Sequence, residues 1–302
     1  MIQFAYLIQL LCLFNLFMHL DSSFQHFFIY DKQSHPEKQK YDFGMMEIKG
    51  KKLIKKDTIL NKDEWVKTYE LAIDQLSHEK NGLIIYIHGY QGDNKYFMQQ
   101  SGYIIQSEIF DNPTHKYGMA LSLQWKSVLP YDTAVKNAYE KGKNFVNLLD
   151  SLYIALKSKH PDAPVTFITH SMGNRVWQGI FENWVVKRPD VYINNSIMFA
   201  ADLESNIFSN GFSGIEKSVG KVYIYHNLSD RTLQMANALK SHQRLGIVGP
   251  DLPIPPSLDS VLVVRNATEI KDDVSFAGNL TFHRYYYGSP TIRKEIVDIL
   301  KK

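Results

Sequence analysis

The sequence predicts an α/β domain in which a mainly parallel sheet carries helices on both faces. Short β-rich runs alternate with longer helical patterns from about residue 27 onward, and this alternation is typical of βαβ units. The inner strand candidates, such as Leu83–Ile87 and Val165–Thr169, are continuous apolar runs, as a sheet buried on both faces requires. With 302 residues, 44% of them hydrophobic, the chain is long enough for one large domain with a sizeable core.

The predicted elements follow one another without an internal repeat. Eight short runs rich in β-branched and aromatic residues fit strands, and they are Phe27–Tyr30, Phe43–Ile48, Leu83–Ile87, Met119–Trp125, Val165–Thr169, Ser196–Phe199, Val222–Tyr225 and Val261–Val264. Six segments with helical spacing of apolar residues fit helices, and they are Asp63–Leu76, Tyr96–Glu108, Thr133–Ser158, Gly173–Val186, Thr232–Lys240 and Thr291–Lys301. The lysine-rich stretch Lys49–Lys56 is expected to be a solvated turn.

The N-terminus is expected to lie outside the folded domain. Residues 5–20 form a nearly apolar run, which has the length of a signal-peptide core, whereas a spanning helix needs about 20 residues. No Lys or Arg precedes the run, and residues 21–23 are a poor cleavage site for a signal peptide. Three alternatives to a signal peptide therefore stay open: an N-terminal anchor with membrane association through residues 1–20, a buried helix, or a misplaced start of the sequence. We expect residues 1–23 to be a signal peptide or anchor and residues 24–302 to form the domain. An exported protein of the periplasm or cell envelope is expected, with a cytoplasmic location as the alternative.

Composition and missing motifs exclude several classes of function. A net charge of +3 does not indicate a nucleic-acid-binding protein, which usually carries a strong basic patch. Cys12 is the only cysteine, which excludes a disulfide framework and a zinc site built on several thiolates. The sequence contains no phosphate-binding loop, dinucleotide-binding glycine pattern, His-Glu-x-x-His or calcium loop. No metal or organic cofactor is therefore expected, and the oligomeric state stays open.

The most informative segment places Ser171 between a strand and a helix. A β-run ends in Thr169-His170-Ser171-Met172-Gly173, and a helical pattern follows at once. A serine on such a sharp turn is typical of the nucleophile elbow, whose flanking residues must be small. Gly173 meets this requirement, but Thr169 stands where glycine is usual. The alternative is a serine that only caps the helix.

A second strand end predicts an oxyanion hole. The run Leu83–Ile87 leads into His88-Gly89-Tyr90-Gln91. Acyl transfer builds negative charge on a carbonyl oxygen, which preorganised backbone N–H groups must receive. We expect the N–H of Tyr90 or Gln91 and the N–H of Met172 to serve here, with His88 bonding within the loop while lining the site. The alternative is a plain strand-to-helix turn.

Two further strand ends supply a candidate acid and base. Asp230 follows the strand Val222–Tyr225, and His283 follows the last strand. A serine hydroxyl needs a base to take its proton, and the base needs an acid to hold its tautomer. The order Ser171, Asp230, His283 is that of the α/β-hydrolase triad. Asp202, which follows the strand Ser196–Phe199, is the alternative acid.

Taken together, these stretches resemble an α/β hydrolase over roughly residues 27–302. Within that superfamily the chain is similar to a bacterial group of esterase/lipase-like proteins of unknown function. The stretches that carry the resemblance are Ile87-His-Gly-Tyr, Gln124-Trp-Lys-Ser with Tyr131-Asp132, His170-Ser-Met-Gly-Asn-Arg, Phe199-Ala-Ala-Asp-Leu-Glu, Ser229-Asp-Arg with Arg244-Leu-Gly, and His283. The resemblance implies that Trp125 and Tyr131 line the site entrance, although Trp125 at a strand end also fits a core residue.

The sequence therefore predicts a serine hydrolase that acts on a small-molecule ester or acyl substrate. The loop Ser241–Pro256 and the aromatics Tyr285, Tyr286 and Tyr287 are expected to shape the pocket, with core packing as the alternative for the tyrosines. The short connection Asp202–Lys221 leaves little room for a large lid. The rival prediction is a non-catalytic binding or scaffolding protein of the cell envelope, since fold does not fix function.

Overall fold

The computed structural model describes residues 25–33, 40–49, 52–59, 61–90, 114–128, 130–238, 242–270, 272 and 282–302. The predicted N-terminal segment 1–23 and the predicted helix Tyr96–Glu108 lie outside these residues. Within them, no helix is both long enough and apolar enough to cross a bilayer.

A nine-stranded sheet forms the centre of the domain. Its strands are β1 (Gln25–Asp31), β2 (Tyr41–Lys49), β3 (Lys52–Ile59), β4 (Gly82–Ile87), β5 (Tyr117–Trp125), β6 (Val165–His170), β7 (Ile193–Phe199), β8 (Val219–His226) and β9 (Leu262–Asn266). Their order across the sheet is β3-β2-β1-β5-β4-β6-β7-β8-β9. The pairs β1–β2 and β2–β3 are antiparallel, and every other pair is parallel. The predicted mainly parallel sheet is thus confirmed.

The lysine-rich stretch Lys49–Lys56 is not a turn along its length, and that prediction was wrong. Residues 52–56 belong to the edge strand β3, which pairs with β2 in a register that sets Lys55 opposite Glu47. Lysines are common on edge strands, where they discourage pairing with other chains. Lysine content therefore did not distinguish a turn from an edge strand.

The helices pack on both faces of the sheet. They are α1 (Lys62–Asp74), α2 (Tyr131–Lys159), α3 (Gly173–Ile180, continued by a π turn over Phe181–Val185), α4 (Arg231–Ala238), α5 (Leu245–Val248), α6 (Tyr285–Gly288) and α7 (Pro290–Leu300). Alternate residues of β4 face opposite sides, since Leu83 and Ile85 join a core cluster with α1, α2 and α3, whereas Ile84 and Tyr86 join a cluster with α6 and α7. The strand end that precedes Gly89 is therefore fixed from both sides.

Close contact between α2 and α3 sets the position of the helix that follows Ser171. A Cβ atom on Gly142 of α2 would lie 2.1 Å from the Val176 carbonyl oxygen, and one on Gly179 of α3 would lie 2.1 Å from the Tyr139 carbonyl oxygen. Only glycine permits these two backbones to approach so closely. The two glycines thus allow α3 to pack in direct backbone contact with the long helix α2.

Candidate active site

Ser171 occupies a sharp turn between β6 and α3. Its φ angle is 51°, in the left-handed region that a residue with a Cβ seldom adopts. Hydrogen bonds hold the turn from both sides, because the Ser171 N–H donates to the Phe199 carbonyl (3.0 Å) and the Asp202 N–H donates to the Ser171 carbonyl (3.2 Å). The end of β7 therefore maintains a backbone conformation that is unfavourable by itself.

The residues two positions to either side of Ser171 fit the turn in different ways. A Cβ on Gly173 would lie 2.5 Å from the His88 carbonyl oxygen, so only glycine fits there. Thr169 stands in the position where the motif usually has glycine, and its hydroxyl donates to the Asn174 side-chain oxygen (2.6 Å). The Asn174 amide in turn donates to the Ser171 carbonyl (3.0 Å). Asn174 is thus a supporting residue of the turn to which the sequence analysis assigned no role.

The three residues predicted as nucleophile, base and acid lie within hydrogen-bond distance of one another. His283 Nε2 is 2.9 Å from Ser171 Oγ, and His283 Nδ1 is 2.7 Å from Asp230 Oδ2. An ionised carboxylate accepts only, so Nδ1 carries the proton and Nε2 of the neutral ring accepts from the serine hydroxyl. Asp230 is fully buried, and its other oxygen accepts from the Leu233 N–H (2.9 Å). This arrangement fixes both the orientation and the tautomer of His283.

His170 supports the loop that carries the candidate base. Its ring lies 4.8 Å from that of His283, centroid to centroid, and its Nε2 donates to the His283 carbonyl (3.2 Å). Burial, together with the neighbouring His283 and Arg284, holds the pKa of His170 well below its usual value. His170 is therefore neutral at physiological pH and does not add a positive charge beside His283.

The end of β4 lies directly against Ser171. A Cβ on Gly89 would be 2.8 Å from the Ser171 Cβ, so glycine is required for this approach. The N–H groups of Tyr90 and Met172, both predicted for an oxyanion hole, have no hydrogen-bond acceptor among the described residues. Gln91, the other predicted donor, lies outside the described residues.

His88 and Trp125 do not line the site, so these two predictions were wrong. Trp125 is fully buried, and its ring stacks on that of His88 at 5.6 Å. His88 Nδ1 donates to the Gly89 carbonyl (2.7 Å), and its Nε2 accepts from the Trp125 N–H (3.0 Å). The Trp125 indole N–H donates back to the His88 carbonyl (3.0 Å). This closed set of contacts stiffens the loop that leads to Gly89.

Asp202 does not contact His283 but belongs to a separate network of charges. Its Oδ2 accepts from the Tyr131 hydroxyl (2.5 Å), and its Oδ1 lies 3.3 Å from Nε of the buried Arg244. Tyr131 is half-buried, and its ring lies 6.4 Å from that of Tyr90, which places it beside the predicted oxyanion loop. Burial and the carboxylate of Asp202 raise the pKa of Tyr131 far above its ordinary value, so its hydroxyl remains a donor.

Tyr285 and Tyr286 pack in the core, and their predicted place in a substrate pocket was wrong. Tyr286 is fully buried, stacks on Phe199 at 4.3 Å and lies 4.8 Å from the ring of His170. The Tyr285 hydroxyl donates to the Tyr225 carbonyl (3.0 Å). Both tyrosines therefore act as a support beneath the loop of His283.

The clefts among the described residues include two that lie away from Ser171. One, of about 260 Å³, runs between residues 205–209 and 250–255, and so has the predicted proline-rich loop as one wall. The other, of about 630 Å³, is lined by residues at the start of β7 and before β6, and is therefore at the opposite end of the strands from Ser171. The described residues contain no group of three or more His, Cys, Asp or Glu side chains that could hold a metal ion.

The chain matches the model of a known protein family. A family model described as "alpha/beta hydrolase of unknown function (DUF900)" matches residues 66–297, about three quarters of the chain. The matched region contains Ser171, Asp230 and His283. A search of curated proteins found no match.

Proposed function

The chain belongs to this family of alpha/beta hydrolases, and we propose that it is a serine hydrolase that cleaves an ester or a related acyl bond. One observation carries the proposal: His283 lies between Ser171 Oγ at 2.9 Å and Asp230 at 2.7 Å. The left-handed conformation of Ser171 supports the same reading, because strained backbone at a polar side chain is a feature of functional sites.

The chemistry follows from the three contacts. Ser171 Oγ attacks the substrate carbonyl carbon while neutral His283 takes the hydroxyl proton at Nε2. The negative charge on the carbonyl oxygen is received by the N–H groups of Met172 and of Tyr90 or Gln91. The imidazolium of His283 then gives its proton to the leaving alcohol, and an acyl group remains on Ser171.

Hydrolysis of the acyl-enzyme uses the same groups in reverse. A water molecule gives a proton to His283 as its oxygen attacks the acyl carbon, and the proton then returns to Ser171 as the acid product leaves. The carboxylate of Asp230, removed from solvent, stabilises the imidazolium in both halves of the reaction. Every proton transfer in the cycle therefore passes between Ser171, His283, the water molecule and the leaving group.

The surroundings of the triad favour a substrate with an apolar portion. Leu228, two residues before Asp230, is 49% exposed, and Phe282, next to His283, is 39% exposed. Between β7 and β8, residues 200–218 contain only turns and two single-turn 3-10 helices, Ile207–Ser209 and Ile215–Lys217. These two exposed apolar side chains, close in sequence to Asp230 and His283, support an ester with an apolar portion as the substrate.

A panel of p-nitrophenyl esters of increasing acyl length tests the proposal. Ser171→Ala should fold normally and lose ester turnover. Ser122→Ala is the matched control, because Ser122 is also a buried serine in contact with a histidine, His26, at 2.7 Å. Turnover that survives in Ser171→Ala would refute Ser171 as the nucleophile. A wild-type protein inactive on every ester would favour a non-catalytic binding protein instead.

A further inference from the structure

Arg244 has an unusual environment for an arginine. Its side chain is fully buried, although arginine is almost never buried unless it is paired. Two carboxylates face it, with Asp202 Oδ1 at 3.3 Å from Nε and Glu204 Oε1 at 3.3 Å from Nη1. No carbonyl or side chain in the described part of the protein accepts a hydrogen bond from its Nη2. The guanidinium therefore acts by spanning two carboxylates at once.

The same network reaches the helix that follows Ser171. Glu204 also accepts from both Nη atoms of Arg175, at 2.9 and 3.3 Å, and Arg175 lies in the first turn of α3. Burial alone would raise the pKa of Glu204, but the hydrogen bonds and charge of Arg175, with Arg244 beside it, lower that pKa to about 2. Glu204 is thus ionised at physiological pH and links the two arginines.

The backbone around Arg244 lies between the nucleophile side and the acid side of the site. On one side, the Gly246 N–H donates to the Ala201 carbonyl (2.9 Å), next to the Asp202 N–H that holds Ser171. On the other side, the Asn227 N–H donates to the Gly246 carbonyl (2.9 Å), three residues before Asp230. A Cβ on Gly246 would lie 2.4 Å from the Ala201 nitrogen, so the three segments are in direct backbone contact.

Resting on the proposed function, we infer that Arg244 is a positioning residue for the triad. By holding Asp202 and Glu204, it fixes the segment 244–246 between the loop of Ser171 and the loop of Asp230. The distance between Ser171 and Asp230, and therefore the position of His283 between them, depends on this buried guanidinium. A displacement of about 1 Å at reacting groups is enough to lower a rate about a hundredfold.

Arg244→Lys tests the inference, because lysine keeps the charge but replaces the rigid planar guanidinium, whose nitrogens face Asp202 and Glu204 separately, with a compact ammonium. The matched control is Lys141→Met, which breaks another fully buried ion pair, that of Lys141 with Asp31 at 2.7 Å. Both variants should lower the melting temperature. Below the melting range, only Arg244→Lys should lower kcat, by about ten- to a hundredfold, with KM within about threefold of wild type.

A second measurement separates this inference from the proposed function. The proton NMR signal of His283 Nδ1–H, assigned by its loss in His283→Gln, reports the contact with Asp230 whether or not an ester is turned over. It should shift or broaden in Arg244→Lys and stay unchanged in Lys141→Met. If Arg244→Lys does not fold, the double variant Asp202→Asn with Arg244→Gln, which leaves no unpaired charge, should show the same changes.

The outcomes are distinct. Wild-type kcat and an unchanged His283 signal in a folded Arg244 variant would overturn the positioning role while leaving the serine mechanism intact. Equal losses of kcat in Arg244→Lys and Lys141→Met would also overturn it, since they would reflect general destabilisation. An inactive wild-type protein whose His283 signal responds to Arg244→Lys would refute the proposed function and keep the link between Arg244 and the loop of Asp230.

Discussion

Replacing Asp230 by asparagine should inactivate the protein without unfolding it. Asp230 Oδ2 accepts the Nδ1 proton of His283 at 2.7 Å, and its Oδ1 accepts the Leu233 N–H at 2.9 Å. An asparagine can keep the second contact, but its NH₂ group would then face the Nδ1–H of His283. The imidazole relieves this conflict by moving its proton to Nε2, where it can no longer accept the proton of Ser171.

The size of the effect follows from this change of tautomer. Holding the catalytic histidine in the wrong tautomer lowers kcat by about 10⁴, which corresponds to about 5 kcal/mol of activation free energy. The free energy of unfolding should fall by only about 1 kcal/mol, because one hydrogen bond to a buried carboxylate is weakened. Activity and stability should thus respond on very different scales.

Asp202→Asn provides the matched comparison. Its carboxylate pairs with the buried Arg244, so its removal should cost about 3 kcal/mol of unfolding free energy. Because Asp202 acts only through position, kcat should fall by no more than about a hundredfold, well short of the loss of about 10⁴ expected for Asp230→Asn. Ester turnover and thermal unfolding of both variants, measured side by side, decide the matter. Loss of activity in Asp202→Asn with retention in Asp230→Asn would exchange the roles of the two acids.

Three further substitutions test other parts of the account. Burial lowers the pKa of His26 from 6.5 to about 3, so between these values the unfolded chain binds a proton that the folded protein does not, and stability must fall as pH is lowered through this window. The loss at pH 5 should be about 2 kcal/mol, and a melting temperature equally sensitive to pH in His26→Gln would contradict it. Gly89→Ala sets a Cβ 2.8 Å from the Ser171 Cβ and should lower kcat roughly ten- to a hundredfold; undiminished turnover would mean that the end of β4 does not shape the site. Asparagine tolerates the φ of 53° at position 282, so Phe282→Asn should not lower the melting temperature. Its kcat/KM for long-chain esters should fall about fivefold relative to acetate esters, because apolar contact with the acyl chain is lost. An unchanged chain-length preference would show that Phe282 does not contact the substrate.

The fold and the order of the candidate triad could be predicted because each rests on local sequence. A buried strand, a small-residue turn and a helix meet at Ser171 within a single stretch of chain, whereas Asp230 follows β8 and His283 comes after β9, the last strand. The identity of the acid could not be decided in this way. Asp202 and Asp230 both follow parallel strands, and only the fold shows that Arg244, distant in sequence, returns to Asp202.

The aromatic residues were misassigned for a related reason. Trp125 and Tyr286 are close in sequence to predicted site residues. Whether their side chains are exposed depends instead on contacts with His88 and Phe199, which lie on other elements of the fold. Arg244 was quoted only for the resemblance and had no role of its own, because an arginine in a loop such as Ser241–Pro256 is usually solvated. The burial of Arg244 results from packing between residues far apart in sequence, which no local sequence pattern predicts.

Covalent labelling of Ser171 tests the central claim most directly. A fluorophosphonate reacts with a serine whose hydroxyl is activated by a base, so the intact mass should increase by one adduct, and peptide mapping should place it on Ser171. The adduct should be absent in Ser171→Ala, form far more slowly in His283→Gln, and form at the wild-type rate in Ser122→Ala. A wild-type protein that stays unmodified, or that is labelled equally in Ser171→Ala, would contradict the assignment of Ser171 as the nucleophile.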